Sequence, residues 1–138
     1  MILHVWTILC SNSVIDIESN NVSIQNAYEQ LTVAGDPKPD GKISLPMELM
    51  SLWTREDLEM PTSGEARILY LQPSGKKSEM ITYPIDLEEH HRARSRVHVG
   101  AIPVPEPGRY KFCIEYRLSG SEAWQQVALI PLEVSFRP

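Results

Sequence analysis

The chain has 138 residues, 42% hydrophobic and 22% charged, which suits one domain with a sizeable core and excludes wholesale disorder. Its net charge of −5 argues against a general nucleic-acid coat protein and against a polybasic membrane binder. The apolar start Met1–Cys10 lacks the basic flank and length of a secretory leader. No run approaches the ~18–20 apolar residues of a membrane helix. A single cytoplasmic domain over residues 1–138 is the expectation.

The periodicity along the chain is mostly two, which predicts strands. Ile2 to Cys10 alternates with apolar residues on both faces, as in a strand covered on both sides. The turn pair Asn20-Asn21 precedes a second run at Val22-Ser23-Ile24 and a third ending at Leu31-Thr32-Val33. Gly35 through Gly41, with two prolines, reads as a loop. Pro46 to Met60 is contested. Its Met, Glu and Leu residues, with Pro46 at a first-turn position, favour a helix. The alternation Met47, Leu49, Ser51, Trp53 favours a strand, so a strand is expected over 43–54 and a short helical turn or loop over 54–60.

Further on, strands are expected from Glu65 to Gln72 and Ser78 to Leu87, joined by the tight turn Pro73-Ser74-Gly75-Lys76. After a charged connector come Arg94 to Ile102, the turn Pro103–Gly108, and Arg109 to Leu118. That last run alternates cleanly, with Tyr110, Phe112, Ile114 and Tyr116 on one side. Ser119-Gly120-Ser121 turns into a final strand from Trp124 to Phe136. Seven to eight short strands, at most one short helix and regular proline and glycine punctuation predict an all-β, antiparallel two-sheet sandwich. Its three tryptophans, Trp6, Trp53 and Trp124, are expected in a shared core. Cys10 and Cys113 read as buried reduced thiols inside apolar runs.

The segment Pro107-Gly108-Arg109-Tyr110 leading into Phe112 and Ile114 resembles the entry to a late core strand in immunoglobulin-like sandwiches. Further segments extend the likeness: Leu9-Cys10-Ser11, Asn21-Val22-Ser23-Ile24, Gly64-Glu65-Ala66-Arg67, Pro73-Ser74-Gly75 and Pro131-Leu132-Glu133-Val134. With these, nearly the whole chain is similar to a family of small uncharacterised bacterial proteins of about this length, a domain of unknown function. The resemblance implies the sandwich fold and brings no catalytic residues. The helix-like character of Pro46–Met60 departs from it.

The sharpest local feature is Glu88-Glu89-His90-His91-Arg92-Ala93-Arg94-Ser95-Arg96-Val97-His98. In an extended chain His90, Arg92, Arg94, Arg96 and His98 share one face, with neighbours in the row roughly 6–7 Å apart. Guanidinium forks at that spacing suit phosphates and carboxylates, so the row is a candidate face for an anion or a partner. The plainer account is a solvated strand face whose arginines pair with Asp86, Glu79 or Glu88, and pairs of that kind need no function.

His90, His91 and His98 could instead serve a small metal-dependent hydrolase or ligand-binding site, although no HxH, HExxH or CxxC spacing is present. A nucleic-acid or polyanion binder using Arg92, Arg94 and Arg96 is a third possibility, opposed by the overall acidity. His4 and Cys10 would lie about 20 Å apart along a strand, too far for a dyad. Ser119-Gly120-Ser121 is no nucleophile elbow, and Gly75-Lys76-Lys77 is no phosphate loop. The expectation is therefore a non-enzymatic interaction module, without cofactor, that binds a protein partner or itself through the arginine face or a sheet edge.

Overall fold

Eleven strands build the structure, a computed structural model that describes residues 1–118 and 123–138. They are β1 (Ile2–Ile15), β2 (Val22–Ala27), β3 (Gln30–Ala34), β4 (Lys42–Ile43), β5 (Glu48–Arg55) and β6 (Thr62–Leu71). There follow β7 (Lys77–Leu87), β8 (Arg92–His98), β9 (Ile102–Pro103), β10 (Gly108–Leu118) and β11 (Gln125–Arg137). No helix occurs among the described residues.

One sheet has the order β2-β1-β5-β8, a second β3-β11-β10-β6-β7, and β4 with β9 forms a small third. The all-β expectation stands, and a sandwich-like arrangement follows from one core shared by the two larger sheets. The finer expectation is corrected in three ways. There are eleven strands rather than seven or eight, a third sheet is present, and β3 pairs parallel to β11. That parallel pair brings residues 30–34 beside residues 133–137, a pairing that no local turn announces.

The cleanest sequence signal gives the centre of the core. In β10 the side chains of Tyr110, Phe112, Ile114 and Tyr116 are buried, and opposite them in β6 lie Ala66, Ile68 and Tyr70. From the other sheet Leu49 and Trp53 of β5 and Leu9 of β1 meet them. Burying each large apolar side chain of this kind contributes roughly 1.5–3 kcal/mol. Tyr70 and Tyr110 stack with ring centroids 5.8 Å apart, and both hydroxyls donate to backbone carbonyls: Tyr70 to Pro103 and Tyr110 to Glu106, each at 2.6 Å.

Pro46–Met60 resolves in favour of the strand. β5 begins at Glu48, and residues 56–60 form bends and a turn held by the Met60 amide on the Asp57 carbonyl. β5 pairs on both sides, with β1 and β8, so pairing overrides the helical propensity of its residues. The tryptophans part company. Only Trp53 is fully buried; Trp6 is half-buried, and Trp124 lies against the guanidinium groups of Arg67 and Arg117 at 4.4 and 4.3 Å. Cys10 and Cys113 are both buried and free. The predicted turn at Ser119-Gly120-Ser121 lies outside the described residues.

His4 faces inward beside Trp53, its ring edge-on to the indole at 5.0 Å, and its Nε2 is 2.6 Å from Thr7 Oγ1. Burial pushes the His4 imidazole below its ordinary pKa. The unfolded chain therefore takes up the proton more readily, and stability present at neutral pH is lost as pH falls through about 6.5. The thermal midpoint of the wild type is expected to drop between pH 7 and pH 5 by more than that of His4→Gln. Equal drops would assign the acid sensitivity to other groups.

Candidate functional site

The predicted arginine row is present from Arg92 to His98, on a strand that starts two residues earlier than the expected Arg94. β8 runs from Arg92, and its pairing with β5 places Arg92, Arg94, Arg96 and His98 opposite Thr54, Leu52, Met50 and Glu48. The alternate residues turn to the core: Ala93 and Val97 pack against it, and Ser95 accepts a hydrogen bond from the Trp53 indole at 3.3 Å. His90 falls outside the strand, in the β7–β8 loop with His91, so it does not extend the row.

The row is not simply solvated, and the carboxylates expected as its partners are not the ones it uses. Arg94 donates to the Oδ1 and the backbone carbonyl of Asn20. Arg96 donates through Nε to Ser13 Oγ at 3.0 Å and through Nη2 to the Ser13 carbonyl at 3.2 Å, and it stands 3.5 Å from Glu48. Asn20 and Ser13 belong to the hairpin of β1 and β2. This hairpin bends from the edge of the sheet across β5 to reach β8.

Beneath the hairpin, Glu48 is 2% exposed and Met50 1%, although both stand on the face of β5 turned away from the core. The Glu48 carboxylate accepts hydrogen bonds from Ser13 Oγ and, at 3.8 Å, from the Cys10 thiol. His98 Nδ1 lies 3.9 Å from it with a largely exposed ring. Burial and the neighbouring Glu48 push the Cys10 thiol up in pKa, which makes it a poor nucleophile at neutral pH. Sequence reading missed Glu48 and Ser13 altogether. The one available sign was a lone acid, Glu48, inside an otherwise apolar strand run.

His90, His91 and His98 do not converge with acids into a metal site: among the described residues no group of three or more His, Cys, Asp or Glu side chains could hold an ion. His90, His91 and Arg92 line only a shallow depression with Glu89 and Asn20.

A second feature lies on the opposite flank. β1 pairs with β5 along residues 2–10, whereas β2 joins it only from Cys10 onward. Past the Tyr28 amide on the Leu9 carbonyl, at 2.8 Å, no strand among the described residues borders that side of residues 2–9. β11 repeats the pattern, because β3 pairs only with residues 133–137 and leaves the outer edge of 125–132 without a strand. The two bare edges meet at a groove lined by Thr7, Leu9, Tyr28, Ile130 and Pro131 together with the acids Glu29 and Glu133, which lie outside both stretches.

Neither stretch carries an Asp, Glu, Lys or Arg. Leu3, Val5 and Leu129 are 50%, 45% and 42% exposed along them. Of the four terminal strands of the two larger sheets, β8 carries arginines and β7 carries Lys77, Glu79 and Pro84, whereas the short β2 and β3 are also uncharged. Exposed strands ordinarily carry charges or prolines of that kind against pairing with other chains. Pro131 and the irregularity between His4 and Trp6 are what stands in the way here.

No protein-family model and no curated protein matches the chain. Among solved structures it is similar, at 10% identity and a TM-score of 0.33, to an extracellular domain assigned to a hybrid two component system of B. thetaiotaomicron. The same identity and TM-score hold for the DNA glycosylase AlkC of Pseudomonas fluorescens, and the N-terminal domain of PorA follows at 9% and 0.28. The chain spans 15%, 27% and 98% of those three chains, and 99%, 77% and 96% of its own length is covered.

Proposed function

We propose that the protein is a non-enzymatic interaction module that takes up an extended segment of a protein partner at the flank formed by residues 2–9 and 125–132. The observation that carries this reading is the pair of uncharged, strand-less edges meeting at one groove. An added strand satisfies the backbone groups of such an edge, and alternate side chains reach the apolar residues beside it. The immunoglobulin-like reading of the sandwich belongs with this proposal. Tyr110 hydrogen-bonds back to the backbone at Glu106, four residues upstream, in the manner of a tyrosine corner. Membership of the small bacterial family that the sequence resembles, and a cytoplasmic setting, are part of the same proposal.

The test starts with capture from nuclease-treated native lysate, followed by hydrogen exchange on the identified complex. Protection is expected at Ile2–Leu9 and Gln125–Leu132, and Leu3→Lys/Leu129→Lys is expected to weaken binding at least tenfold. A doubled mass in sedimentation, with the same protection, identifies the partner as a second copy. Protection confined to β8, with binding lost in Arg92→Ala/Arg94→Ala/Arg96→Ala, overturns the flank as the site. A complex lost on nuclease treatment transfers the role to polyanion binding. That second reading rests on Arg92, whose side chain has no hydrogen bond or ion pair among the described residues.

A further inference from the structure

We propose that the β1–β2 hairpin, residues 11–27, is a strap that opens and closes over the outer face of the four-stranded sheet, with Arg94 and Arg96 as its latch. Three observations lead there. The first is the burial pattern: within residues 11–27 Ser13 alone is buried, and no residue of the segment belongs to the hydrophobic core or packs against it. A segment without apolar anchorage opens at far lower cost than the body that carries it.

The second is that the ends are pinned. Leu9 and Cys10 are buried in the sheet, and Tyr28 holds the other end through its amide on the Leu9 carbonyl and its hydroxyl on the Pro46 carbonyl at 2.9 Å. At the base of the hairpin, next to the Tyr28 pin, lies Asn26 at φ +53°, a left-handed conformation that asparagine tolerates. Opening therefore needs rotation only where the two strands leave the body, after Cys10 and at 26–27, and leaves the part of β1 paired with β5 in place.

The third is the latch itself. The contacts that reach across β5 to the far strand are polar: Arg94 to Asn20, and Arg96 to Ser13. Closed, the strap holds the Glu48 carboxylate through Ser13, and Cys10 and Met50 beside Glu48 on the same face are buried. Open, it leaves Met50 on a surface bordered by Glu48, Arg94 and Arg96, with the Arg94 guanidinium freed and Arg96 keeping only Glu48, 3.5 Å away.

Cys10, 0% exposed and beside Glu48, reports the motion. In a Cys113→Ser background, maleimide labelling of Cys10 at neutral pH is expected to proceed at denaturant concentrations too low to unfold the domain. Arg94→Ala/Arg96→Ala should accelerate it at least tenfold while hydrogen exchange in β10 and β6 is unchanged. As a variant that spares the arginines, Asn20→Gly/Ser13→Ala should accelerate it in the same direction. The proposal is overturned if Cys10 labels only with the denaturant dependence of global unfolding, or if the latch variants speed β10 exchange as much as they speed labelling.

Discussion

Replacing Gly64 with alanine is expected to lower the unfolding free energy by about 2–4 kcal/mol, in the upper range for overpacking a well-filled site. Gly64 lies in β6 opposite Leu118 of β10 and Ile85 of β7. A Cβ built there stands 2.6 Å from the Arg117 carbonyl oxygen and 3.0 Å from Ile2 Cδ1. The isoleucine tip can rotate away, whereas the carbonyl is fixed in the sheet, so β6 and β10 must part locally.

Two controls separate this clash from the other costs of losing glycine. Gly100 has open space around it and no left-handed φ, so Gly100→Ala should be neutral. Gly75 also has open space but sits at φ +93°, so Gly75→Ala should cost about 1 kcal/mol from conformation alone. Chemical denaturation of the three variants checks the order. Gly64→Ala equal to Gly100→Ala would contradict the spacing of the two central strands.

The second large effect is expected at Arg55. This side chain is buried at the end of β5, and it donates to three carbonyls: Nε to Leu87 at 2.8 Å, Nη1 to Leu58 at 2.7 Å and Nη2 to Glu88 at 2.9 Å. One guanidinium thus ties the 56–60 turn to the β7–β8 loop. Bonds with a charged donor are worth about 1.5–3 kcal/mol each, and deleting the donor strands the acceptors. Leu58 and Glu88 are exposed, and water replaces part of what their carbonyls lose. Arg55→Ala is therefore expected to cost about 3 kcal/mol, with faster hydrogen exchange in both loops. Arg55→Lys should recover less than half of this, because an ammonium cannot serve three divergent acceptors from one plane. Full recovery by lysine would show that charge alone, not the fork, matters at this position.

Arg55 also illustrates how far the sequence can be read. It stood among the acids Glu56, Asp57 and Glu59 and looked like part of a charged loop, yet its partners are carbonyls, which carry no sequence signature. The strands legible beforehand were those whose faces differ, such as β10, and those bounded by strong turns, such as 73–76, where the Gln72 amide bonds the Lys76 carbonyl. The parity of the arginine row was also legible, since alternation follows from extension alone.

What reached over the row was not. Ser11-Asn12-Ser13 reads as loop, and it is strand only because β2 pairs with it. Glu48 counted in the sequence only as a helix-favouring residue, and its carboxylate is held by Ser13, more than thirty residues away. The open flank escaped for a different reason. It consists of pairings that stop short, at Cys10 in β1 and Glu133 in β11, and periodicity reports where a strand runs without reporting how much of it has a neighbour.

The parallel pairing of β3 with β11 also bears on synthesis. β11 supplies Leu132 and Val134 to the core, lies against β10 along most of its length, and meets β3 roughly a hundred residues upstream. Emerging from the ribosome in chain order, β3 must wait for almost the whole domain to be translated before its neighbour exists. Until then β10 has no partner on one side and the core lacks one wall. Long-range closure of this kind folds slowly and leaves the nascent chain sticky. The apolar faces of the earlier strands thus stay without their full cover until nearly the whole domain has been translated.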